Sequence, residues 1–77
     1  MNGRIADTLL YIDNLKIENP DIFQLLSRKD IADFAGISTE SAVKLLKSFE
    51  KDGLIELHEE DIVVFNHTEL LEISKKG

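Results

Sequence analysis

The 77-residue sequence contains no cysteine, one proline and four glycines. Without cysteine the chain can form no disulfide, no thiolate metal site and no cysteine nucleophile, a usage that is typical of intracellular proteins. It also has no apolar run near the ~18–20 residues of a membrane span, and its first residues do not have the pattern of a secretory signal. We therefore expect a cytoplasmic protein that does not contact a membrane.

What is present is the composition of a small globular domain. Hydrophobic residues make up 43% of the chain and charged residues 31%, which is unlike the low hydrophobicity of disordered proteins. A chain of this length has room for one compact core and not for a second. Residues 1–77 are therefore predicted to form a single domain.

The net charge of −6 at pH 7 at first disfavours nucleic acid as a partner, because phosphate binding requires local positive charge. The charge is unevenly distributed, however. Residues 52–77 carry seven acidic and two basic residues, whereas residues 27–51 carry four acidic and five basic ones. If the chain binds DNA, this middle segment is the part that faces it.

Local patterns predict the order helix, strand, helix, turn, helix, hairpin and short helix. Apolar residues at helical spacing between residues 3 and 16 predict a first helix, which Pro20 prevents from continuing. The apolar run Ile22–Leu26 is short and is predicted to be a strand. Residues 54–58 and 62–65 are β-prone and joined by a short loop, which predicts a hairpin. Residues 68–72 predict one or two helical turns before a frayed end at residues 74–77.

The middle of the chain has the spacing of a helix-turn-helix unit. Ser27 is placed to cap the first helix of this unit. Gly36 supplies the positive φ of a tight turn, and Ala32, four residues earlier, lets the two helices approach closely. Ser38 is placed to cap the second helix, which is predicted over about residues 39–52 and is followed by another glycine.

Together these patterns predict an α+β winged helix-turn-helix fold. It has three main helices, a small antiparallel sheet made of the short strand and the wing hairpin, and a short C-terminal helix. The predicted core consists of Ile5, Leu9, Ile12, Leu26, Ile31, Ala35, Ile37, Ala42, Leu45, Leu46, Phe49, Ile55 and Val64.

Apolar and charged residues separate onto opposite faces of the predicted helix 39–52. At about 100° per residue, one face of this helix is apolar and consists of Ala42, Leu45, Leu46 and Phe49. The opposite face, which we call the lysine face, consists of Glu40, Lys44, Lys47 and Lys51. The separation fits a recognition helix in a DNA groove, and equally a solvated surface helix with an i,i+4 pair of Glu40 and Lys44. Val43, exposed at the edge of the lysine face, favours the first interpretation because it could contact a thymine methyl group.

At these residues the chain resembles the DNA-binding domain of the CRP/FNR regulators of bacteria. The resemblance covers about residues 4–72 and rests on Ser27-Arg28-Lys29-Asp30-Ile31, on Gly36-Ile37-Ser38-Thr39-Glu40-Ser41 and on Gly53-Leu54-Ile55. It implies sequence-specific binding of double-stranded DNA by a transcription regulator. It also implies that residues 1–77 are excised from a larger protein with an upstream sensor domain, which forms a homodimer, whereas the isolated domain is a monomer or weak dimer.

The resemblance further implies roles for individual residues. Glu40 stands where the family's glutamate accepts a hydrogen bond from a cytosine amino group, Lys44 where an arginine usually reads guanine, and Thr39 at the variable specificity position. With Val43 these form the predicted base contacts. The predicted phosphate contacts are Ser27, Arg28, Ser38, Ser41, Lys47 and His58. Thr39, Lys44 and the acidic wing tip Glu59-Glu60-Asp61 depart from the family pattern, which leaves base preference and wing contact with phosphate open.

Other classes of function have less support in the sequence. The two histidines, His58 and His67, lie in or beside the hairpin, and no serine is placed by pattern for them to activate, so an enzyme is not expected. A metal site formed by His58 and the acidic wing tip is disfavoured because adjacent hairpin side chains diverge; we expect neither metal nor cofactor. The remaining alternative is a winged-helix module that docks protein without binding DNA, which the acidic wing and tail would favour.

Overall fold

The computed structural model describes residues 2–59 and 61–76. Met1, Glu60 and Gly77 lie outside the described residues, and with them the predictions for Glu60 in the wing loop and for the terminal Gly77. The elements are α1 (Asn2–Leu15), a 3₁₀ turn (Ile22–Gln24), α2 (Arg28–Ala35), α3 (Thr39–Lys51), β1 (Ile55–Leu57), β2 (Ile62–Val64) and α4 (His67–Lys76). The predicted winged helix-turn-helix fold is confirmed, with local differences in the predicted strand and in the C-terminal helix.

The first helix of the helix-turn-helix unit, α2, is capped at both ends in the way its sequence predicts. The Ser27 hydroxyl accepts a hydrogen bond from the Asp30 amide at 3.1 Å, and the Asp30 carboxylate accepts one from the Ser27 amide at 2.9 Å. The hydrogen bonds from the backbone and side chain of Ser27 lower the pKa of Asp30. Gly36 ends the helix at φ 72°, a conformation that strains any residue with a side chain.

The predicted strand at residues 22–26 is wrong, because Ile22–Gln24 form a single 3₁₀ turn. The Ile22 amide donates to the Asn19 carbonyl and the Gln24 amide to the Asp21 carbonyl, both at 2.9 Å, so these amides bond to the preceding turn and not to a second strand. Only Phe23 enters the core, at 2% exposure. A short apolar run without alternation does not distinguish these two conformations. In the described residues the sheet therefore consists of the wing hairpin alone.

The wing hairpin pairs β1 and β2 antiparallel, with Ile55 opposite Val64 and Leu57 opposite Ile62. The strands are shorter than the predicted runs. Ile55, Ile62 and Val64 are buried, so alternate residues of the hairpin complete the core beside α3.

The C-terminal helix α4 is longer than predicted and begins one residue earlier. Asn66 caps it, since its side-chain oxygen accepts from the Glu69 amide at 3.0 Å. Leu70 is fully buried, and the Ser74 hydroxyl donates to Asp7 of α1 at 3.3 Å. The predicted frayed end is therefore wrong for residues 74–76, which are helical, because packing against α1 stabilises a helix too short to persist alone.

The core lies between α1, the helix-turn-helix unit, the hairpin and α4. Of the predicted core residues, Leu26, Ile37 and Leu45 are only partly buried and the others are buried. The structure adds to the core Ala6, Phe23, Ala32, Leu54, Ile62 and Leu70. Among the helices of residues 2–59 and 61–76, none combines the length and the apolarity that crossing a membrane requires.

Candidate nucleic-acid interface

Helix α3 has one face in the core and the opposite face in solvent. Its buried residues are Ala42, Leu46 and Phe49. Lys44, Lys47 and Lys51 on the opposite face are all exposed, so neither the hairpin nor α4 covers them. The two faces predicted from the 3.6-residue period are confirmed, and the three lysines are accessible to solvent.

The lysine face contains one internal ion pair. Lys44 Nζ lies 3.4 Å from Glu40 Oε1, with the two side chains 76% and 80% exposed. An exposed i,i+4 pair of this kind contributes only about 0.3–0.5 kcal/mol. Both side chains can therefore separate at little cost and reach other partners.

Thr39 and Val43 lie on the flank of the lysine face. Thr39 is exposed, whereas Val43 is partly buried and so less accessible than its expected position at an exposed edge. Glu50, seven residues after Val43, lies on the same flank and accepts a hydrogen bond from the Leu57 amide of β1 at 2.9 Å. This flank of α3 therefore faces the wing.

The start of α3 carries two serines, of which Ser38 is exposed and Ser41 is partly buried. The Ser38 hydroxyl accepts from the Ser41 amide at 3.1 Å and donates to the Ser41 hydroxyl at 2.9 Å. The Ser38 side chain is thus held at the helix N-terminus, where the backbone amides and the helix dipole favour an anion. Ser27 is exposed at the start of α2, but there its hydroxyl and its backbone amide both donate to the Asp30 carboxylate, at 3.1 and 2.9 Å, so an acidic group already lies at that helix start.

Arg28 and His58, predicted separately as phosphate contacts, are brought together by the fold. Arg28 Nη2 donates to the His58 carbonyl at 3.2 Å, which ties the first turn of α2 to the wing. The His58 ring is turned towards Glu56, with 3.3 Å between Nε2 and Oε1. Arg28 therefore already has a protein partner, and His58 lies beside a carboxylate that would disfavour a nearby phosphate.

The wing is also held by Lys16, in the turn that follows α1, through a contact that the sequence does not reveal. Lys16 Nζ lies 2.8 and 3.1 Å from the two Asp61 carboxylate oxygens, 3.3 Å from the Ile62 carbonyl and 5.5 Å from the centre of the Phe23 ring. Partial burial raises the pKa of Asp61, but hydrogen bonds from Lys16 and from the Ile62 amide, with the lysine charge, outweigh it and lower the pKa overall.

The residues that hold the wing in place, Lys16, Asp61 and Glu50, were missed by sequence reasoning. Lys16 and Asp61 are 45 positions apart, and neither belongs to a motif that pairs them. Glu50 has the spacing of an ordinary exposed helical residue. Among residues 2–59 and 61–76 there is no group of three or more His, Cys, Asp or Glu side chains placed to hold a metal ion.

Comparison with known proteins gives consistent matches. A family model described as the Crp-like helix-turn-helix domain matches residues 3–73. The cAMP-activated global transcriptional regulators CRP of Pasteurella multocida and of Salmonella typhimurium are each 35% identical over 68 residues, covering 84% of this chain and 32% of the relative. That of Klebsiella aerogenes matches to the same extent. The chain thus spans about a third of the length of the curated relatives it matches.

Proposed function

Because the chain belongs to the family of Crp-like helix-turn-helix domains, we propose that it is the duplex-DNA-binding domain of a bacterial transcription regulator, with α3 as its recognition helix. That family is a class of DNA-binding domain and not a class of enzyme. The observation that supports the proposal most is the open lysine face of α3, opposite residues that are locked into the core. A major groove accepts a helix with this arrangement.

Base recognition falls to four residues in the first half of α3, namely the exposed Thr39, Glu40 and Lys44 and the partly buried Val43. The Glu40 carboxylate accepts from a cytosine amino group, and Lys44 donates to guanine O6 or N7. On binding, contacts with the bases replace the weak ion pair between Glu40 and Lys44, whose charged atoms are 3.4 Å apart. Thr39 and Val43 supply shorter contacts on the flank towards the wing. Lysine lacks the planar fork of arginine, so discrimination at the guanine is weaker than a bidentate arginine would give.

Phosphate binding falls to residues around the two helix starts. Ser38, Ser41 and the first amides of α3 form one contact, and Ser27 with the start of α2 forms another. Lys47 reaches a phosphate from the lysine face. Arg28 and His58 contribute where the wing meets α2, although His58 is paired with Glu56 and is the weakest member of the set.

The assembly of the complete regulator follows from the same family. We expect a homodimer in the bacterial cytoplasm that engages two half-sites about 34 Å apart. A single copy of residues 1–77 lacks the gain that comes from engaging both half-sites together. As a monomer or weak dimer, it binds one half-site weakly.

The experiment that tests the proposal is selection of bound duplexes from a random pool, with the 77-residue chain alone and with two copies joined by a flexible linker. We expect one motif with the single chain and a repeat of that motif with the linked pair. Affinity for the selected duplex should fall steeply as salt rises, because bound phosphates release counterions. If no duplex is enriched and none binds even at low salt, the protein-docking alternative, which the acidic wing favours, replaces DNA binding.

A further inference from the structure

The start of α3 has no positive charge of its own. The sequence contains no basic residue between Lys29 and Lys44, and the first turn of α3 carries the acidic Glu40. The proposed phosphate contact at Ser38 therefore consists of neutral donors beside a carboxylate. Helix-start amides favour an anion, but proteins neutralise duplex phosphates mainly with Lys and Arg. A cation at this helix start has to come from another part of the fold.

Arg4 of α1 lies beside this helix start. In the turn between α2 and α3, the position that a β carbon would occupy at Gly36 is 3.6 Å from Arg4 Nη1. The guanidinium group therefore lies against the turn, where glycine leaves the backbone uncovered. Ser38 follows Gly36 by two residues, a span of at most about 7 Å. Because Arg4 is exposed, its long side chain is free to turn from Gly36 to an anion at the start of α3.

The charge of Arg4 is available to a new partner. Arg28, the other arginine of the chain, donates to the His58 carbonyl at 3.2 Å. The ion pairs formed among residues 2–59 and 61–76, in contrast, do not include Arg4. Asp7, one turn further along α1, has its carboxylate directed towards α4, where it accepts from the Ser74 hydroxyl at 3.3 Å.

We infer that Arg4 supplies the positive charge of the phosphate contact at the start of α3. The inference rests on the proposed DNA binding and extends the contact surface to α1, which lies outside the helix-turn-helix unit. One phosphate receives hydrogen bonds from the Arg4 guanidinium and from the first amides of α3 with Ser38. The planar guanidinium can donate two parallel hydrogen bonds to phosphate oxygens. Since every duplex carries phosphates, Arg4 contributes affinity and not base preference.

The first test measures how binding of the selected duplex depends on salt. With Arg4→Gln, which removes the charge of an exposed side chain, the slope of log affinity against log salt should become shallower by about one. The ratio of parent to variant affinity should then shrink about 3.5-fold between about 50 and 200 mM salt. Selected and scrambled duplexes should be weakened alike. Arg4→Lys, the matched control, keeps the charge and should keep the slope of the parent, with some loss of affinity because lysine lacks the planar fork.

A second measurement locates the phosphate. In a series of selected duplexes, one phosphate at a time is replaced by a neutral methylphosphonate, which should weaken binding by the parent at each contacted position. With Arg4→Gln, the replacement should lose most of its effect at one position only. Ser38→Gly removes the hydroxyl and costs the helix start only a few tenths of a kcal/mol, and it should reduce the effect at that same position.

The outcomes separate this inference from the proposed function. An unchanged salt slope with Arg4→Gln overturns the inference and leaves the proposed function standing. Effects of Arg4→Gln and Ser38→Gly at different phosphates do the same, because the two residues would not share a contact. Failure of the parent to bind any duplex overturns the proposed function itself. Denaturant unfolding of each variant checks that it is folded under the conditions of the binding measurements.

Discussion

The lysine face of α3 and the wing are neighbouring surfaces built in opposite ways. The lysine face is open, and its one internal ion pair joins two highly exposed side chains. The wing carries acidic side chains and is fastened to three other elements through Lys16, Arg28 and Glu50. The positive surface is therefore free to bind a new partner, whereas the polar groups of the wing largely bind the protein itself.

This difference indicates how the winged helix divides its tasks. A wing that contacts a phosphate backbone needs positive or neutral groups at its tip. Here Glu56 and Glu59 are exposed on the wing, and Asp61 is held by Lys16 at 2.8 Å. We therefore expect recognition and affinity to depend on α3 and the helix starts, with the wing serving to position the flank of α3.

The largest expected effects come from the lysine face. Lys44→Ala should cost about 1–3 kcal/mol of binding free energy on the selected site, because it removes a base contact, while Lys47→Ala should weaken binding to all sequences alike. Neither change should alter the free energy of unfolding by more than about 0.5 kcal/mol, since both side chains are exposed. Fluorescence anisotropy on selected and scrambled duplexes measures the first effect, and denaturant unfolding the second.

Lys75→Ala is the control for charge alone, because Lys75 is an exposed lysine in the last turn of α4, away from α3. It should change duplex affinity far less than either lysine of the face. Equal losses of duplex affinity for all three variants would mean that binding depends on net charge alone. The lysine face would then not differ from the rest of the surface in DNA binding.

A smaller effect is expected where Lys16, in the turn after α1, holds the wing. Lys16→Met keeps an unbranched apolar side chain at this position and removes the charge that holds Asp61. The two side chains are 24% and 35% exposed, so the ion pair is partly screened and we expect a loss of about 0.5–1 kcal/mol in the free energy of unfolding. Hydrogen exchange at the Ile62 amide should accelerate more than exchange within α3. Unchanged exchange at the wing with Lys16→Met would show that the hairpin pairing alone holds it.

The contact between Lys16 and Asp61 also predicts a dependence on pH. Because the pKa of Asp61 is lowered in the folded protein, its stabilising effect is complete above the unfolded pKa of about 3.9 and is lost as the pH falls through the lower folded value. Denaturant unfolding of the parent and of Asp61→Asn should therefore differ at pH 6 and converge towards pH 2. A difference in unfolding free energy that stays constant over that range would assign the effect to packing and not to the charge.

The fold and the lysine face could be predicted because local rules determine them. Capping by Ser27, the left-handed turn at Gly36 and the 3.6-residue period of α3 each depend on residues within a few positions of one another, and all are confirmed. The family resemblance read from the same residues is confirmed as well. The assignment of individual base and phosphate contacts stays a prediction.

What could not be predicted depends on tertiary contacts. The run from Ile22 to Leu26 has no periodicity that separates a strand from a 3₁₀ turn, and the burial of Phe23 against other elements decides between them. Helix α4 owes its length to α1, including the 2.6 Å contact of His67 with Asp13. The contact of Arg28 with the His58 carbonyl joins residues 30 positions apart, and no local pattern encodes it.

The smallest expected effect tests the acidic wing directly. If the exposed Glu59 repels the backbone of a duplex bound by α3, Glu59→Gln should raise affinity for all sequences by less than about threefold in low salt, and the gain should disappear near 0.15 M salt, where the Debye length is about 8 Å. Glu72→Gln, the same change on exposed α4, should have a smaller effect because it lies away from α3. Weaker binding with Glu59→Gln would mean that this carboxylate makes a favourable contact in the complex. The recognition surface would then include the wing as well as the lysine face.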